Sequence, residues 1–270
     1  MTSELPGSST VVRSALPSDY THFARLFPEL GTPDAVPSEA RFLAEIMPNA
    51  LIAEAAGDVV GYTFFQTLNE SGYVRHVVVA KKARRAGHAR ALLTAVRAHL
   101  KRSGRTSWSL NVEPNNTAAV SLYQSLGMRF RYASCATRLD WSRARRSTSD
   151  DLVVSTFDAS EDATIEREFS LPAGQITDHR TKAERVFLKV TGPAGIRAFT
   201  VFDRAFPGTY PLRVRDAAAG WKLFEAVHLH ARPTDDHIRS VVEQDDAWRD
   251  ELVSAGAEIL LRVAHYEGVL

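Results

Sequence analysis

The chain is poor in several things that would make it a secreted, metal-held or membrane-inserted protein. It has a single cysteine, Cys135, among 270 residues. An intrachain disulfide and a cysteine metal site are therefore excluded, no metal is expected, and a reducing cytoplasm is the natural compartment. No apolar run approaches the length of a membrane-spanning helix. The first ten residues have neither a basic start nor an apolar stretch, so no secretory signal is read there. Excess charge is also missing. The formal net charge is +1, which gives no global field to draw in nucleic acid or an anionic membrane. What is present is ordinary globular composition, 44% apolar and 24% charged, at a length that suits one large domain or two of usual size.

Basic residues do cluster locally, and the first cluster organises the chain. Residues 73–79 are short and rich in β-branched side chains, as in a strand buried on both faces. Ala91, Leu92, Ala95 and Val96 recur at helical spacing. Between strand and helix lies Lys81-Lys82-Ala83-Arg84-Arg85-Ala86-Gly87-His88-Ala89-Arg90. A loop that opens a helix aims free backbone N–H groups at one point, and the helix dipole adds partial positive charge there. Gly87 and the small Ala86 and Ala89 let an oxyanion approach the backbone, and the lysines and arginines supply full charge. These features suit a diphosphate. A solvated helix start fits the stretch taken alone equally well. The absence of Gly-Lys-Ser/Thr excludes a Walker loop, and Gly-x-Gly-x-x-Gly for a dinucleotide is also missing.

The pattern Arg84-x-x-Gly87-x-Ala89 resembles the Arg/Gln-x-x-Gly-x-Gly/Ala signature of the GCN5-related N-acetyltransferases (GNAT superfamily). A second stretch resembles the same family. Asn116, Ala119, Leu122-Tyr123 and Gly127-Met128 fall where the family has Asn-x-x-Ala-x-x-Leu-Tyr-x-x-x-Gly-Phe. Residue by residue, 108–112 read as a strand ended by Pro114. Asn115 or Asn116 caps a new helix, and Gly127 closes it.

The resemblance covers residues 10–141. It implies an α/β (α+β) chain with the GNAT acyl-CoA N-acyltransferase fold, a mixed, mostly antiparallel sheet flanked by helices. Read in order, 10–15 is a strand, Pro17-Ser18-Asp19 opens a helix, and Ser38 opens a second that stops before Pro48. Residues 51–55 and 59–67 form a hairpin about Gly57-Asp58, and 128–140 form a closing strand or pair. Residues 142–151 are polar and aperiodic and read as a linker.

Residues 152–270 carry a core of their own. Strands are expected at 186–190, 197–202, 211–214, 221–228 and 259–265, with a helix over 235–255. Gly256 and its preceding Leu252 align with Gly127 and Tyr123, a faint echo of the first half. The C-terminal half is thus either a degenerate GNAT-like unit without a cofactor site or an unrelated α+β accessory domain.

For chemistry, the resemblance implies acetyl-CoA as co-substrate. Arg84, Arg85, Ala86, Gly87, His88, Ala89 and Arg90 would grip its diphosphate, largely through backbone N–H groups. Val77, Val78 and Val79 would pair with the pantetheine arm, and Asn116 would contact the cofactor unless it simply caps its helix. Tyr123 would protonate or orient the departing sulfur. A phenol (pKa about 10) passing its proton to a thiolate (about 8.5) works uphill by roughly 2 kcal/mol. The family's usual glutamate base is missing, since the matching positions hold Tyr73 and Asn111. His76, Glu113 or a water relay remain, with alternation along a regular strand placing His76 opposite Tyr73. The implied activity is acetyl transfer to a primary amine of a small molecule or protein by direct attack. The alternatives are a CoA-binding sensor that has lost turnover and an RNA-directed acetyltransferase using Arg138, Arg143, Arg145 and Arg146. Near-neutral charge counts against nucleic acid, no membrane partner is expected, and a homodimer is compatible with the sequence.

Overall fold

The computed structural model describes residues 10–32, 35–68, 70–147 and 149–270. Asn69 lies outside them, as do the two residues at 33–34. The chain packs into two compact units that interleave along the sequence. The first takes residues 1–111, 118–129 and 266–270, and the second takes 112–117 and 130–265. Packing therefore does not follow the expected break at 142–151. The strand after the first unit's last helix packs in the second unit, and the chain's last five residues pack in the first.

In the first unit, β1 (Val11–Ser14) pairs antiparallel with β2 (Ala50–Ala55), and β2 pairs with β3 (Asp58–Thr67). The β2–β3 turn holds Ala56 and Gly57 at φ of 50° and 82°, the twist a two-residue hairpin demands. β3 pairs with β4 (Ser71–Val79) antiparallel, and β4 runs parallel to β5 (Ser107–Val112). Between β1 and β2 come α1 (Tyr20–Leu26) and α2 (Glu39–Arg41), which runs on in a wider coil to Ile46. Ser38 caps α2 by accepting from the Arg41 N–H, as its sequence position implies. Phe23, Phe27 and Phe42 from this side bury against Tyr62, Phe64 and Val78 of β3 and β4. The long α3 (His88–Arg102) closes the other face with Leu92, Leu93, Val96 and Leu100 buried, and α4 (Thr117–Ser125) follows β5.

The last residues complete this unit. The Leu270 N–H donates to Thr106 O at 2.9 Å, and the Arg97 guanidinium reaches Val269 O. Gly268 lies flat against the fully buried Trp108: a β-carbon there would sit 2.7 Å from the indole Nε1.

The second unit repeats the order of elements: β7 (Val153–Thr156), two short helices α5 (Asp162–Glu168) and α6 (Gln175–Arg180), then β8 (Arg185–Gly192), β9 (Gly195–Asp203) and β10 (Gly208–Val214). After these come α7 (Ala217–His228), β11 (His237–Glu243), α8 (Asp246–Ser254) and β12 (Glu258–Val269). β6 (Arg129–Asp140) lies antiparallel to β11 here.

Two sequence expectations fail in this half. Residues 221–228, expected as a strand from their aromatic and branched side chains, are the core of α7. Three alanines start it, the Asp216 carboxylate accepts the Ala219 N–H, and Gly220, Leu223, Phe224 and Val227 line one face. Residues 235–255, expected as one helix, divide into β11 and α8. Ile238, Ser240 and Val242 alternate inward, and Asp245 restarts the chain as a helix by accepting from Trp248 N–H.

The echo between the halves is real in backbone terms. Gly127 and Gly256 both take positive φ, 86° and 97°. The Met128 N–H returns to Tyr123 O and the Ala257 N–H to Leu252 O, the same helix closure.

We expect Gly268→Val to destabilise the protein by about 1–3 kcal/mol, because the added carbons must enter a filled space beside Trp108. The exposed neighbour change Val269→Thr should stay within about 0.5 kcal/mol. Urea unfolding followed by tryptophan fluorescence measures both, and equal midpoints for the two variants would remove the strand's role.

Candidate active site

The site begins where β4 and β5 part. Their parallel pairing runs only from Ser71–Ser107 to Val74–Leu110. At that point β4 carries a bulge: Phe64 pairs with His76 and Phe65 with Val74, leaving Arg75 as an extra residue. A bulge bends its strand and sharpens the twist, so residues 75–79 leave β5 while staying paired with β3. Val77, Val78 and Val79 thus lie beyond the β4–β5 ladder, where an extended ligand can add as a strand.

The bulge also corrects a sequence expectation. Directly paired residues point to the same side of a sheet. Phe64 and Phe65 face opposite sides, so their partners His76 and Val74 do too. His76 therefore shares the side of Tyr73, not the side opposite. Its ring stands edge-on to Phe27, Phe64 and Tyr62, at centroid distances of 5.7, 5.4 and 6.0 Å.

After β4 the chain makes a short 3-10 turn, Lys81–Ala83, and reaches the basic loop. Arg84 is extended, Arg85 has φ of 71°, and Gly87 has φ of 88° before α3 begins. Alternation of backbone handedness turns successive N–H groups toward one hollow, a geometry that receives anions. Gly87 is required by its φ and not by crowding, since a β-carbon there would meet nothing within 4 Å. No side chain caps α3, and its first helical hydrogen bond is Ala91 N–H to Gly87 O. The N–H groups of His88, Ala89 and Arg90 are thus presented at the positive end of a helix of 15 residues.

The side chains of this loop divide their work in a way the sequence does not show. Arg84 donates through Nε to Val79 O at 3.1 Å and through Nη2 to Glu29 at 2.7 Å. Its charge is spent on fixing the loop to the end of β4 and to the segment after α1. The His88 ring is buried and bonds the Thr10 hydroxyl at 2.8 Å, so only its backbone faces the loop. Arg90 reaches Ser125 Oγ on α4 at 2.7 Å, tying the helix that carries Tyr123 to the start of α3. The Arg84, His88 and Arg90 side chains are thus held by neighbours and position the loop, whose backbone N–H groups are the ones the sequence assigns to the diphosphate. Lys81, Lys82 and Arg85 are exposed and make no ion pair among the described residues.

Tyr123 lies on α4 in the same unit and is buried, and its hydroxyl has no hydrogen-bond partner among the described residues. Burial pushes the phenol up to about 12. It is protonated at neutral pH, so it can donate. Full transfer to a thiolate of ordinary pKa about 8.5 would now cost about 5 kcal/mol, which favours hydrogen bonding to the sulfur over outright transfer. Asn116 and Glu113 pack with residues 112–117 in the other unit. The structure of the first unit does not by itself bring them to the loop.

The equivalent place in the second unit is closed. The N-terminus of α7 is occupied by the Asp216 carboxylate, itself paired with Arg197. β10 and β11 pair in parallel only at Gly208–Arg239 and Thr209–Ser240. Beyond that pairing a largely buried Arg213–Glu243 ion pair at 2.9 Å joins the two strands. A surface groove of about 480 Å³ in this unit, lined by Val154, Leu188, Ala226 and Leu229 among others, includes none of the expected site residues. Glu29, Tyr62, Thr63 and Ser125 serve the first unit's site without any sequence signal, because each acts through a partner distant in the chain.

A strand pair that opens beside a bulge, above an uncapped helix start with a basic loop, defines an acyl-CoA-type transferase fold. The comparisons agree: residues 19–128 match the model of the acetyltransferase (GNAT) family. No curated protein matches the chain. Among solved structures, it is similar in fold to a GCN5-related N-acetyltransferase from Sphaerobacter thermophilus (TM-score 0.69, 14% identity, 96% of this chain and 95% of that one). A putative acetyltransferase from Pyrococcus horikoshii gives TM-score 0.69 at 14% identity, over 100% and 92%. A tandem GNAT protein from the clavulanic acid biosynthesis pathway gives 0.59 at 16%, over 97% and 98%. Among the described residues no helix is long and apolar enough to cross a membrane.

Both buried phenols should resist alkali. Burial also raises Tyr62, which is fully buried. A raised folded pKa contributes stability that is complete below the unfolded value near 10, and for Tyr123 is lost as pH rises through about 12. At pH 11 the native protein should therefore show less phenolate absorbance at 295 nm than the denatured chain. Tyr62→Phe and Tyr123→Phe should each remove a share of that difference, and a substitution that leaves the difference whole contradicts the burial assigned to its tyrosine.

Proposed function

We propose that the first unit transfers an acetyl group from acetyl-CoA to a primary amine of a small molecule or protein by direct attack. The observation that carries this reading is the opening between β4 and β5 set beside the uncapped start of α3. The two features suit the two parts of one ligand. The pantetheine arm would add to residues 77–79 as a strand does, and the diphosphate would lie on the N–H groups from Arg85 to Arg90. The N–H groups of the same strand would receive the oxyanion formed when the amine attacks. Tyr123 would hydrogen-bond the departing sulfur. The second unit, with a carboxylate at its helix start and an ion pair across its strands, would bind no cofactor and would act on acceptor choice or stability. A cytoplasmic setting suits both the single thiol and the co-substrate.

The test is release of free CoA thiol from acetyl-CoA over a panel of amines, with acetyl-CoA binding measured by calorimetry and thermal protection. Binding without turnover on any amine would favour a sensor. Steeply salt-dependent RNA affinity would favour the RNA-directed reading. Tyr123→Phe should lower kcat about 10- to 100-fold with the acetyl-CoA Kd unchanged within about twofold, as expected for a group acting after binding. Gly87→Val forces a branched side chain to φ of 88° and should weaken acetyl-CoA binding at least about tenfold by displacing the loop N–H groups. Unaltered affinity in that variant would move the diphosphate elsewhere.

A further inference from the structure

His76 stands at the residue where β4 first re-pairs with β3 after the bulge and has already left β5. Its backbone is pinned there: the Thr63 hydroxyl, fully buried, donates to His76 O at 2.8 Å. That bond holds a carbonyl at the point where the bulge disturbs the ladder. The ring is pinned as well, held edge-on by Phe27 and Phe64, with the Tyr62 hydroxyl 3.4 Å from Nδ1. The ring is only half-buried, while Tyr62, Phe27 and Phe64 around it are buried. A titratable side chain fixed at both backbone and ring, at the mouth of the opening, is arranged as catalytic groups are.

Resting on the acetyltransferase reading above, we propose that His76 is the general base for the acceptor amine, that Tyr62 positions it, and that the acceptor is a weakly basic amine such as the N-terminal α-amine of a peptide. Tyr62 does this by accepting from the Nδ1–H, which sets the tautomer in which Nε2 takes the proton. The protons balance. The ammonium gives one proton to Nε2, which passes it to solvent. The neutral nitrogen attacks the thioester carbon, and the C–S bond breaks. The second proton lost from nitrogen as the amide forms ends on the CoA sulfur, with Tyr123 hydrogen-bonded there.

The choice of acceptor follows from the strength of the base. A peptide's N-terminal α-amine with pKa about 7.8 is neutral in roughly one molecule in seven at pH 7, a lysine-type amine in roughly one in 2,500. An imidazole is a strong enough base for the first and a poor one for the second.

The experiment measures kcat, amine KM and acetyl-CoA Kd for the full chain with α-amino and ε-amino acceptors. His76→Ala should lower kcat about 10²- to 10³-fold, leave the acetyl-CoA Kd within about twofold, and regain at least about tenfold in kcat when imidazole is added. His76→Gln keeps the ring's volume more closely and should be as slow without being rescued. Tyr62→Phe should lower kcat about 3- to 10-fold with amine KM unchanged, a split that mere loss of packing would not give. Wild-type kcat/KM should favour α-amines over ε-amines by at least about tenfold. Acetyl-CoA binding and turnover that survive His76→Ala within about threefold, a variant indifferent to imidazole, or a preference for ε-amines would overturn this inference and leave the transferase reading standing. Failure of the wild-type protein to bind acetyl-CoA would instead overturn the reading it rests on.

Discussion

Four paired residues on each of two neighbouring strands, and no more, set the conditions for everything else in the first unit. Had the β4–β5 ladder continued past Val74 and Leu110, the backbone of 75–79 would be consumed in the sheet. The bulge at Arg75 stops it. Hydrogen-bonding groups on the open side of a buried strand are costly to leave unmet. A ligand with amide groups at strand-like spacing meets them, and this is why pantetheine suits the gap. The same bulge turns His76 to the side of Tyr62 and Phe27, so one irregularity both opens the gap between the strands and aims a titratable ring.

The loop after β4 shows how a charged motif can act mainly through its main chain. Of its arginines, Arg84 and Arg90 are tied to Glu29 and Ser125. Holding those two side chains to neighbours fixes the positions of the intervening N–H groups, and fixed dipoles receive an anion without the ordering cost that mobile side chains incur. Exposed ion pairs such as Arg84–Glu29 add little to stability. The value of this one lies in geometry, since it connects the loop to the segment following α1.

Much of this was legible in the sequence, for physical reasons that also explain what was not. The first unit's strands and helices follow local signals: β-branched runs, a turn expected at Gly57-Asp58 and found one residue earlier, Ser38 as a cap, Gly127 as a stop. The bulge is not local. It depends on how Phe64 and Phe65 meet β4, so strand alternation alone put His76 on the wrong side. In the second half, the aromatic and branched residues of α7 outweighed its three alanines and the Asp216 cap, and the apolar points of 235–255 hid the change from a two-residue to a helical period at Gln244-Asp245. The exchange of strands between units was invisible for a deeper reason. β6 and β12 each follow equivalent helices closed by equivalent glycines, and nothing in either strand's sequence states which sheet it will join.

Two features of the second unit fill the place that the first leaves open. Its N-terminal helix position carries Asp216, whose carboxylate satisfies the α7 N–H groups from within the chain and would repel a phosphate. Arg213 and Glu243 bridge its parting strands, where an uncompensated charge would be expensive if either were removed. Both features are the internal replacements expected when an ordered ligand is no longer available to meet the same groups. A unit rebuilt in this way can lose the cofactor without losing its fold. It cannot be discarded, because residues 266–270 at the end of its last strand are the ones that pack against Trp108 and bond Thr106 in the first unit. The first unit therefore includes the chain's last five residues, and a chain cut before them would leave Trp108 uncovered.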